Sequence, residues 1–256
     1  MRVTFLGTGT SHGVPMIGCR CSTCRSNDRR DKRWRSSILI ELADNTSVLV
    51  DTSPDLRSQV LAFKVSRVDA ILFTHSHADH VLGLNDMYRF NALQGQTIPC
   101  FADGSTLADI FQMFAYIFAR TPVIHGGVSQ IKPYKLLGPF CLGRSTFVPI
   151  PIFHGDRLIF GYRVGNFAYL TDCSGIPDSS WELLSGVEIL VIDALRHRSH
   201  SSHFTVDEAI AFAERIRPRL TYLTHMCHDI LHADTSAMLP EAIELAGHQA
   251  LRHQVQ

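Results

Sequence analysis

The chain has 256 residues, 45% of them hydrophobic and 19% charged, so it can bury a core and is not intrinsically disordered. Its 24 lysine and arginine residues balance 24 aspartate and glutamate residues, which excludes the overall positive field typical of polyanion-binding proteins. The first residues contain too short an apolar run for a signal peptide, and no run approaches the ~18 residues that cross a bilayer. We therefore expect a soluble, cytoplasmic protein without a membrane partner.

Short apolar runs rich in β-branched and aromatic residues, each bounded by turn signals, predict strands along the chain. In chain order these predicted strands are Val3–Leu6, Ser37–Leu42, Ser47–Val50, Ala70–Thr74, Thr146–Ile152, Leu158–Val164, Phe167–Leu170, Glu188–Ile192 and Leu220–Leu223. Short turns at residues 43–45 and 165–166 join two pairs of these strands into predicted hairpins.

Helical periodicity predicts three helices, at Ser105–Ala119, Thr205–Arg217 and Thr235–Leu245. The second has clear boundaries, because Thr205 and Glu208 form a capping box and Pro218 stops the helix. Residues from about 85 to 145 have the least regular pattern and are interpreted as an irregular insertion or lid. No repeat or linker divides the chain, so strands interleaved with helices predict a single layered α/β domain over residues 1–256.

The strand predicted at residues 70–74 runs directly into a segment dense in metal-binding residue types. This segment contains His75, His77, Asp79 and His80. While the chain is extended, side chains at i and i+2 share a face, so His75 and His77 can bind one metal ion. The following turn moves Asp79 and His80 to a second point nearby. One strand end can therefore serve two neighbouring metal ions, as two-metal hydrolases require.

Two metal ions need more ligands than this segment supplies. Three other predicted strands end in a suitable residue, namely His154, Asp172 and His225. Each alone is more typical of a capped turn than of a ligand. Together they have the form of a ligand set collected at one edge of a sheet.

The segment Thr74–His80 resembles the T-H-x-H-x-D-H signature of the metallo-β-lactamase superfamily, and the later strand ends follow the order of that superfamily's other motifs. The resemblance implies an αβ/βα four-layer sandwich and a dinuclear centre. It assigns His75, His77 and His154 to one metal ion, Asp79, His80 and His225 to the other, and Asp172 to a bridging position. Zinc β-lactamases commonly have a cysteine in the second site, so this ligand set disfavours antibiotic hydrolysis.

Asp51, at the end of the strand predicted at residues 47–50, matches an early aspartate of the superfamily. The resemblance implies that Asp51 orients a ligand histidine. An alternative role is to cap the helix that begins near Pro54.

A C-x-C-x₂-C cluster comprises Cys19, Cys21 and Cys24, three of the seven cysteines. An odd cysteine count without an export signal favours metal binding over a disulfide framework, and three thiolates need one more ligand to close a structural zinc site. The candidates for that ligand are His12, Cys227 and His228. His228 is preferred, because it lies one helical turn beyond His225. A redox pair and a chance cluster are the alternatives.

The segment from Gly7 to Cys24 resembles the PhnP-like cyclic phosphodiesterases that accompany carbon–phosphorus lyase. In that sub-family the fourth zinc ligand lies in a His-x-x-His pair similar to His225 and His228, which supports the choice of His228. The chain departs from the sub-family pattern near its end, where Ala246-Gly247-His248-Gln249 replaces an expected Asp-Gly.

His203 and the two residues after it resemble the His-x-Ser/Thr element with which phosphodiesterases of this superfamily, including tRNA 3′-processing nucleases, place a histidine at the leaving group. A histidine suits general acid catalysis at neutral pH, and the helix that follows would favour a phosphate. A surface histidine is the alternative. We expect His197 and His200 to be solvated and leave His232 unassigned.

Residues 20–35 form a basic run that Asp28 and Asp31 interrupt. This run could attract phosphates, but we interpret it as a solvated loop around the zinc site, anchored by Trp34.

The leading hypothesis is a metal-dependent phosphodiesterase acting on a small cyclic phosphate or nucleotide-like ester. A hydroxide activated by two divalent ions (Zn or Mn, with Fe a further option) would attack phosphorus while His203 protonates the leaving oxygen. The expected partner is a small phosphorylated substrate rather than a nucleic acid, and a homodimer is left open.

Three alternatives remain. A thioester or lactone hydrolase would not need His203. A non-catalytic accessory protein, similar to pyrroloquinoline-quinone biosynthesis proteins, would not need the complete ligand set. RNA processing is weakened by the zero net charge and by the lack of a long basic arm.

Overall fold

The computed structural model describes residues 1–119, 127–247 and 250–252. The strands in these ranges are β1 (Arg2–Gly7), β2 (Ser37–Glu41), β3 (Ser47–Val50), β4 (Ala70–Leu72), β5 (Ile98–Ala102), β6 (Ile131–Lys135), β7 (Phe140–Leu142), β8 (Ser145–His154), β9 (Arg157–Val164), β10 (Phe167–Leu170), β11 (Ile189–Asp193), β12 (Leu220–Thr224), β13 (Ile243–Leu245) and β14 (Ala250–Arg252).

The α-helices in the same ranges are α1 (Ser22–Arg25), α2 (Leu56–Ala62), α3 (Ala78–Val81), α4 (Tyr88–Gln94), α5 (Gly104–Met113), α6 (Asp178–Trp181), α7 (Val206–Ile216) and α8 (His232–Ser236). Short 3₁₀ helices occur at Arg29–Asp31, Leu82–Met87 and Glu182–Leu184. Within the described ranges, no helix combines the length and the hydropathy that crossing a membrane requires.

The strands form two seven-stranded sheets, in the orders β14-β1-β2-β3-β4-β5-β6 and β13-β12-β11-β10-β9-β8-β7. From β3 to β6 the first sheet is parallel, and from β10 to β13 the second is parallel. Strand β8 has the direction of β10, because β9 runs antiparallel to both. The carboxyl ends of β3 and β4 therefore share one edge of the first sheet, and those of β8, β10, β11 and β12 share one edge of the second.

Three apolar clusters separate the layers. One lies between the sheets and includes Phe5, Phe147 and Tyr169. A second packs the outer face of the first sheet against the helices of residues 56–118, and a third packs the second sheet against α6 and α7. The order helices, sheet, sheet, helices confirms the predicted αβ/βα four-layer sandwich.

All nine predicted strands form, with ends that move by no more than two residues. The helix predicted at Thr205–Arg217 is also present. Thr205 and Glu208 form both hydrogen bonds of the capping box, and Arg217 ends the helix in a left-handed conformation. The helix predicted at Ser105–Ala119 is shorter, since α5 ends at Met113.

The prediction of a helix at Thr235–Leu245 is wrong. Helix α8 ends at Ser236, and residues 243–245 instead form β13, which pairs in parallel with β12. Pro240 cannot continue a helix because it lacks a backbone N–H, and its carbonyl oxygen instead accepts the Ile243 amide at 2.9 Å. The neighbouring residues His248 and Gln249 lie outside the described ranges.

The segment from about 85 to 145 is more regular than predicted. It contains α4, α5 and the strands β5, β6 and β7, which extend the two sheets at their ends. The strand pattern is weak in sequence because β6, Ile131–Lys135, is a largely exposed sheet-edge strand. Residues 120–126 of this segment lie outside the described ranges, and its role as a lid remains a prediction.

Candidate functional site

The carboxyl ends of four strands, β4 of the first sheet and β8, β10 and β12 of the second, meet at one place and bring together residues of metal-binding type. One group comprises His75, His77 and His154, and a second comprises Asp79, His80, Asp172 and His225. Within each group the ligand atoms lie within 4.8 Å of one another. These groups contain the seven residues that the sequence assigned to the dinuclear centre, and their ligand roles remain predictions.

Asp172 lies between the two groups. Its Oδ2 atom is 3.2 Å from His80 Nε2, and its Oδ1 atom is 3.2 Å from His225 Nε2 and 4.0 Å from His75 Nε2. The two oxygens of one carboxylate thus reach toward both groups, which is the position that a bridging ligand needs.

The donor set fits divalent ions. The Nε2 atoms of His75, His80 and His225 are buried and form no well-directed hydrogen bond with the described residues, although oxygens of Asp172 lie 3.2 Å to 4.0 Å from them. An unpartnered buried polar atom is costly, and here three such atoms surround ionised carboxylates. Bound cations would give each nitrogen a partner. The residues present are therefore suited to hold two ions.

The electrostatics of the site favour the ligand form of most of its side chains. His80 is the exception: burial would lower its pKa, but the neighbouring carboxylates of Asp172, Asp79 and Asp51 raise that pKa well above its usual range. Burial, together with the nearby His80, lowers the pKa of His75 well below its usual range. Burial also lowers the pKa of His77 and His154. Burial alone would raise the pKa of Asp172, but His225 and His80 hold that pKa well below its usual range. Neutral imidazoles and an ionised carboxylate are the forms that coordinate metals.

Asp51 fixes the position of the segment Thr74–His80 through hydrogen bonds. Its carboxylate accepts hydrogen bonds of 2.9 Å from both the amide and the hydroxyl of Thr74 and lies 2.7 Å from His80 Nδ1. The hydrogen bond at Nδ1 orients the imidazole and leaves Nε2 for a ligand role. Asp51 caps no described helix, because α2 begins after Asp55.

Three residues of the site adopt the left-handed backbone conformation. The φ angles are 64° at Asp51, 57° at Asp172 and 59° at His225. Left-handed backbone costs an L-residue about 1–2 kcal/mol and is most frequent among non-glycine residues in Asn, Asp and His. Asp51 and His225 directly follow a strand, and Asp172 lies two residues after the end of β10.

His203 lies beside both groups and is held by a carboxylate that the sequence analysis missed. Its Nδ1 atom is 2.8 Å from Oδ2 of Asp193, and its ring centroid is 4.7 Å from that of His154 and 4.8 Å from that of His225. Asp193 is the last residue of the buried strand β11. This is the signal that identified Asp172, a buried apolar strand ending in aspartate, so Asp193 could have been found.

Burial acts on both members of the Asp193 and His203 pair. It raises the pKa of Asp193 well above its ordinary value and lowers the pKa of His203. Both shifts disfavour the charged forms of the two side chains, which are joined by the hydrogen bond between Nδ1 and Oδ2. That bond fixes the ring and leaves Nε2 as the nitrogen that can exchange a proton.

The Cys19–Cys24 loop forms a separate group with His228. Both Cys19 Sγ and Cys21 Sγ are 3.4 Å from His228 Nδ1, and the Cys24 sulfur completes the set. Burial opposes ionisation of Cys21, but hydrogen bonds with His228 and neighbouring groups hold its pKa at about 6. Burial and the adjacent thiols raise the pKa of Cys24 to about 11. Three sulfurs and one nitrogen match a closed tetrahedral zinc site.

The other candidates for the fourth zinc ligand are placed differently. The Cys227 sulfur accepts a 3.3 Å hydrogen bond from the Asp229 amide, and His12 Nδ1 bonds to the Gly13 carbonyl at 2.7 Å. His12 remains near, with its ring centroid 5.4 Å from that of His228.

The remaining predicted histidines divide by exposure. His197 and His200 are exposed, although the ring centroid of His200 lies 5.0 Å from that of His203. His232 is buried, and its backbone amide donates to Asp31 at 2.8 Å.

The sequence analysis also missed a hydrogen-bonded group of three polar residues near the two ligand groups, Ser76, Asp109 and Arg157, which we call the polar clasp. Ser76, which lies between His75 and His77, donates a hydrogen bond to Asp109 of α5, and Arg157 Nη2 lies 3.0 Å from both side chains. The clasp ties the ligand segment to α5 and to the start of β9. No local pattern links these three residues.

The fold and the His/Asp centre are those of the metallo-β-lactamase superfamily. A family model described as a beta-lactamase superfamily domain matches residues 46–226, and the chain belongs to this family. Within the superfamily the chain is PhnP-like. A crystal structure described as a new diphosphatase from the PhnP family is 40% identical, with a TM-score of 0.92, and the match covers 99% of this chain and 98% of that one.

Two curated relatives bear other names. An octanoyltransferase of Porphyromonas gingivalis (strain ATCC BAA-308 / W83) is 37% identical over 95% of this chain, which spans about half of that relative's length (49%). Coenzyme PQQ synthesis protein B of Methylobacterium sp. (strain 4-46) is 35% identical, and the match covers 75% of this chain and 72% of that protein. Zn²⁺-bound PqqB from Methylobacterium extorquens, with 19% identity and a TM-score of 0.75, shares the fold. This fold implies divalent metal ions, and the PhnP-family neighbour supports a metal-dependent hydrolase.

Proposed function

We propose that the protein is a metal-dependent phosphodiesterase that hydrolyses a small cyclic phosphate or a nucleotide-like phosphodiester. The observation that carries this proposal is the 2.8 Å hydrogen bond between Asp193 and His203, beside the two ligand groups. A carboxylate-oriented histidine that belongs to neither predicted metal ligand set is suited to proton transfer. The 40% identity to a protein described as a diphosphatase supports a phosphorylated substrate.

The ligand groups described above would hold two divalent ions, which supply Lewis-acid polarisation of a phosphoryl oxygen and a water of lowered pKa. Asp51 fixes the His80 ring through Nδ1. Asp193 similarly fixes His203, so that Nε2 can deliver a proton to the departing oxygen. Ser202 contributes on the same loop, because its carbonyl oxygen lies 2.8 Å from His154 Nδ1 and orients that ring.

His203→Ala tests the proposal. General acid catalysis is worth ~10²–10⁴-fold, so turnover of a phosphodiester with a poor alkoxide leaving group should fall by about that factor. Bis(p-nitrophenyl) phosphate releases a stable phenolate and should be affected far less. His200→Ala is the matched control, because this exposed histidine neighbours His203. Equal losses on both substrates, with metal content unchanged, would contradict the proposal.

A thioester hydrolase is the second candidate, favoured by the relative named octanoyltransferase. A thiolate is a weak base with a pKa of about 8.5 and leaves without a general acid. An octanoyl thioester belongs in the same assay. Turnover of that thioester above either phosphodiester, insensitive to His203→Ala, would favour this candidate.

A further inference from the structure

A cavity of about 530 Å³ lies beside the zinc-binding loop, and its lining includes His12, Val14, Arg29, Lys32, Trp34 and Arg35. None of the residues in the metal groups described above lines it. Its volume falls in the range of ~300–1,000 Å³ that is typical of small-molecule sites. The basic run of residues 20–35 therefore borders a cavity rather than forming only a solvated loop.

The lining of the cavity is strongly cationic. It contains Arg29, Lys32, Arg33 and Arg35 but a single carboxylate, that of Asp55. Arg35 is fixed in place, because Nε donates to the Ser11 carbonyl at 2.9 Å and Nη1 donates to Asp55 at 3.0 Å. A guanidinium held in this way is pre-organised for phosphate oxygens. Arg29 is exposed and forms no ion pair with a carboxylate in the part of the chain that the structure describes.

Arg33 adds a further positive charge to the wall of the cavity and is held by protein groups. Arg33 is only 2% exposed, and its Nη atoms donate to the Ile230 carbonyl at 2.8 Å and to Asp31 at 3.2 Å. Its Nε atom is buried without a hydrogen-bond partner among the described residues. This nitrogen has no exposed surface, so Arg33 contributes positive charge to the cavity wall rather than a direct contact with a ligand.

The apolar part of the lining indicates which kind of molecule would bring the anionic group into the cavity. The half-buried indole of Trp34 and the buried side chain of Val14 border the same cavity as the cations. Nucleobases stack on aromatic side chains, while guanidinium groups bind phosphate. We propose that this cavity binds a nucleoside monophosphate group, with the base against Trp34 and the phosphate at Arg29 and Arg35.

Two sources could present this group. The group could be the unreacted end of a dinucleotide-like substrate of the metal centre, and this possibility rests on the proposed function. The group could also belong to a free nucleotide, and that possibility is independent of the proposed function. Binding can be measured without turnover, so failure of the proposed function and failure of this proposal are distinguishable.

The fluorescence of Trp34 provides the binding assay. The chain has two tryptophans, so Trp181→Phe leaves Trp34 as the single reporter. Trp181 lies in a different region, with the Arg215 guanidinium 3.3 Å from its ring centroid. Titration of the metal-loaded protein with adenosine 5′-monophosphate should give a saturable change in emission. Adenosine or inorganic phosphate alone should bind about tenfold more weakly or worse, because each makes half of the contacts.

Arg29→Ala is the decisive variant and Arg30→Ala its matched control. Both residues are exposed cations of one 3₁₀ helix, but Arg30 does not line the cavity and pairs with Asp28 at 2.6 Å. Arg29→Ala should raise the apparent Kd for the nucleotide about tenfold, since a hydrogen bond to a charged group is lost, and Arg30→Ala should leave it unchanged. Unaltered Trp34 emission at millimolar nucleotide, or equal shifts in both variants, would overturn the proposal. If Trp181→Phe does not fold, calorimetric titration of the unmodified protein and the two arginine variants decides the same question.

Steady-state kinetics then separate the two sources, and either result supports the cavity as a nucleotide site. For a substrate end, Arg29→Ala raises KM for a dinucleoside diphosphate without lowering kcat, and the nucleotide competes with that substrate. For a free nucleotide, KM is unchanged and inhibition or activation is not competitive. Nucleotide binding without hydrolysis of any phosphate would refute the proposed function alone.

Discussion

The predicted dinuclear centre and the predicted zinc site of the Cys19–Cys24 loop are built in opposite ways. The residues predicted for the dinuclear centre form one group with His75, His77 and His154 and a second group that extends to His225, with strands of both sheets as supports. The loop supplies three sulfurs from six consecutive positions and needs one distant residue, His228. Oxygen and nitrogen donors in two adjoining groups are typical of catalytic metal sites. Three sulfurs and one nitrogen are typical of a closed, tetrahedral zinc site with a structural role. Changes in the first region should therefore affect turnover, and changes in the second should affect stability.

Asp172→Asn should have the largest effect on the dinuclear centre. The substitution keeps the shape but removes the negative charge that lies between His80 and His225. Loss of metal-ion catalysis worth several kcal/mol lowers turnover by about 10³-fold or more. Turnover and metal content should be measured together, with exposed Asp178→Asn as the control. Retention of both full turnover and full metal content would remove Asp172 from the ligand set.

Asp193→Asn should have a smaller effect, because Asp193 acts through His203. Loss of the carboxylate that fixes a catalytic imidazole should lower turnover of a poor-leaving-group phosphodiester by ~10–100-fold. In a His203→Ala background the same substitution should cost little more, since both changes remove one function. Multiplicative losses would instead assign Asp193 to His225, whose Nδ1 is 3.6 Å from Asp193 Oδ1.

Cys21→Ser should lower the stability of the protein, because it changes the Cys19–Cys24 loop rather than the dinuclear centre. The unmodified protein is expected to bind about three metal ions per chain, one of them zinc that resists mild chelation. Loss of a zinc ligand removes folding free energy directly, so the melting temperature should fall by ~10 °C while the remaining folded protein keeps its turnover. Exposed Cys141→Ser is the control. Unchanged melting with lost turnover would place the cluster in the chemistry.

Arg157→Ala should have the smallest effect on stability and turnover. Arg157 joins Asp109 and Ser76 beside the ligand segment, but both charged side chains are substantially exposed, at 35% and 45%. Exposed ion pairs contribute about 0–1 kcal/mol, so the melting temperature should move by no more than a few degrees. Turnover should stay within severalfold, because the strands rather than this clasp position the ligands. A loss as large as that of Asp193→Asn would show that the dinuclear centre depends on α5.

The sequence predicted what local pattern controls and missed what depends on distant pairing. His75 to His80 were found because they closely follow a buried apolar strand. Asp51, His154, Asp172 and His225 likewise lie at or just after the ends of strands. β13 was predicted as helix because its three residues become a strand only by pairing with β12. β6 has a weak strand pattern because it is a largely exposed strand at the edge of its sheet. The clasp of Ser76, Asp109 and Arg157 joins three elements whose proximity only the tertiary fold establishes.

The left-handed backbone of Asp51, Asp172 and His225 restricts which replacements evolution can accept at these positions. Each position must supply a carboxylate or an imidazole and must also tolerate a positive φ angle. Aspartate and histidine satisfy both demands, whereas a β-branched residue satisfies neither. Glycine would relieve the backbone at the cost of the functional group. The same few residue types are thus selected twice, once by the backbone and once by the chemistry of the site.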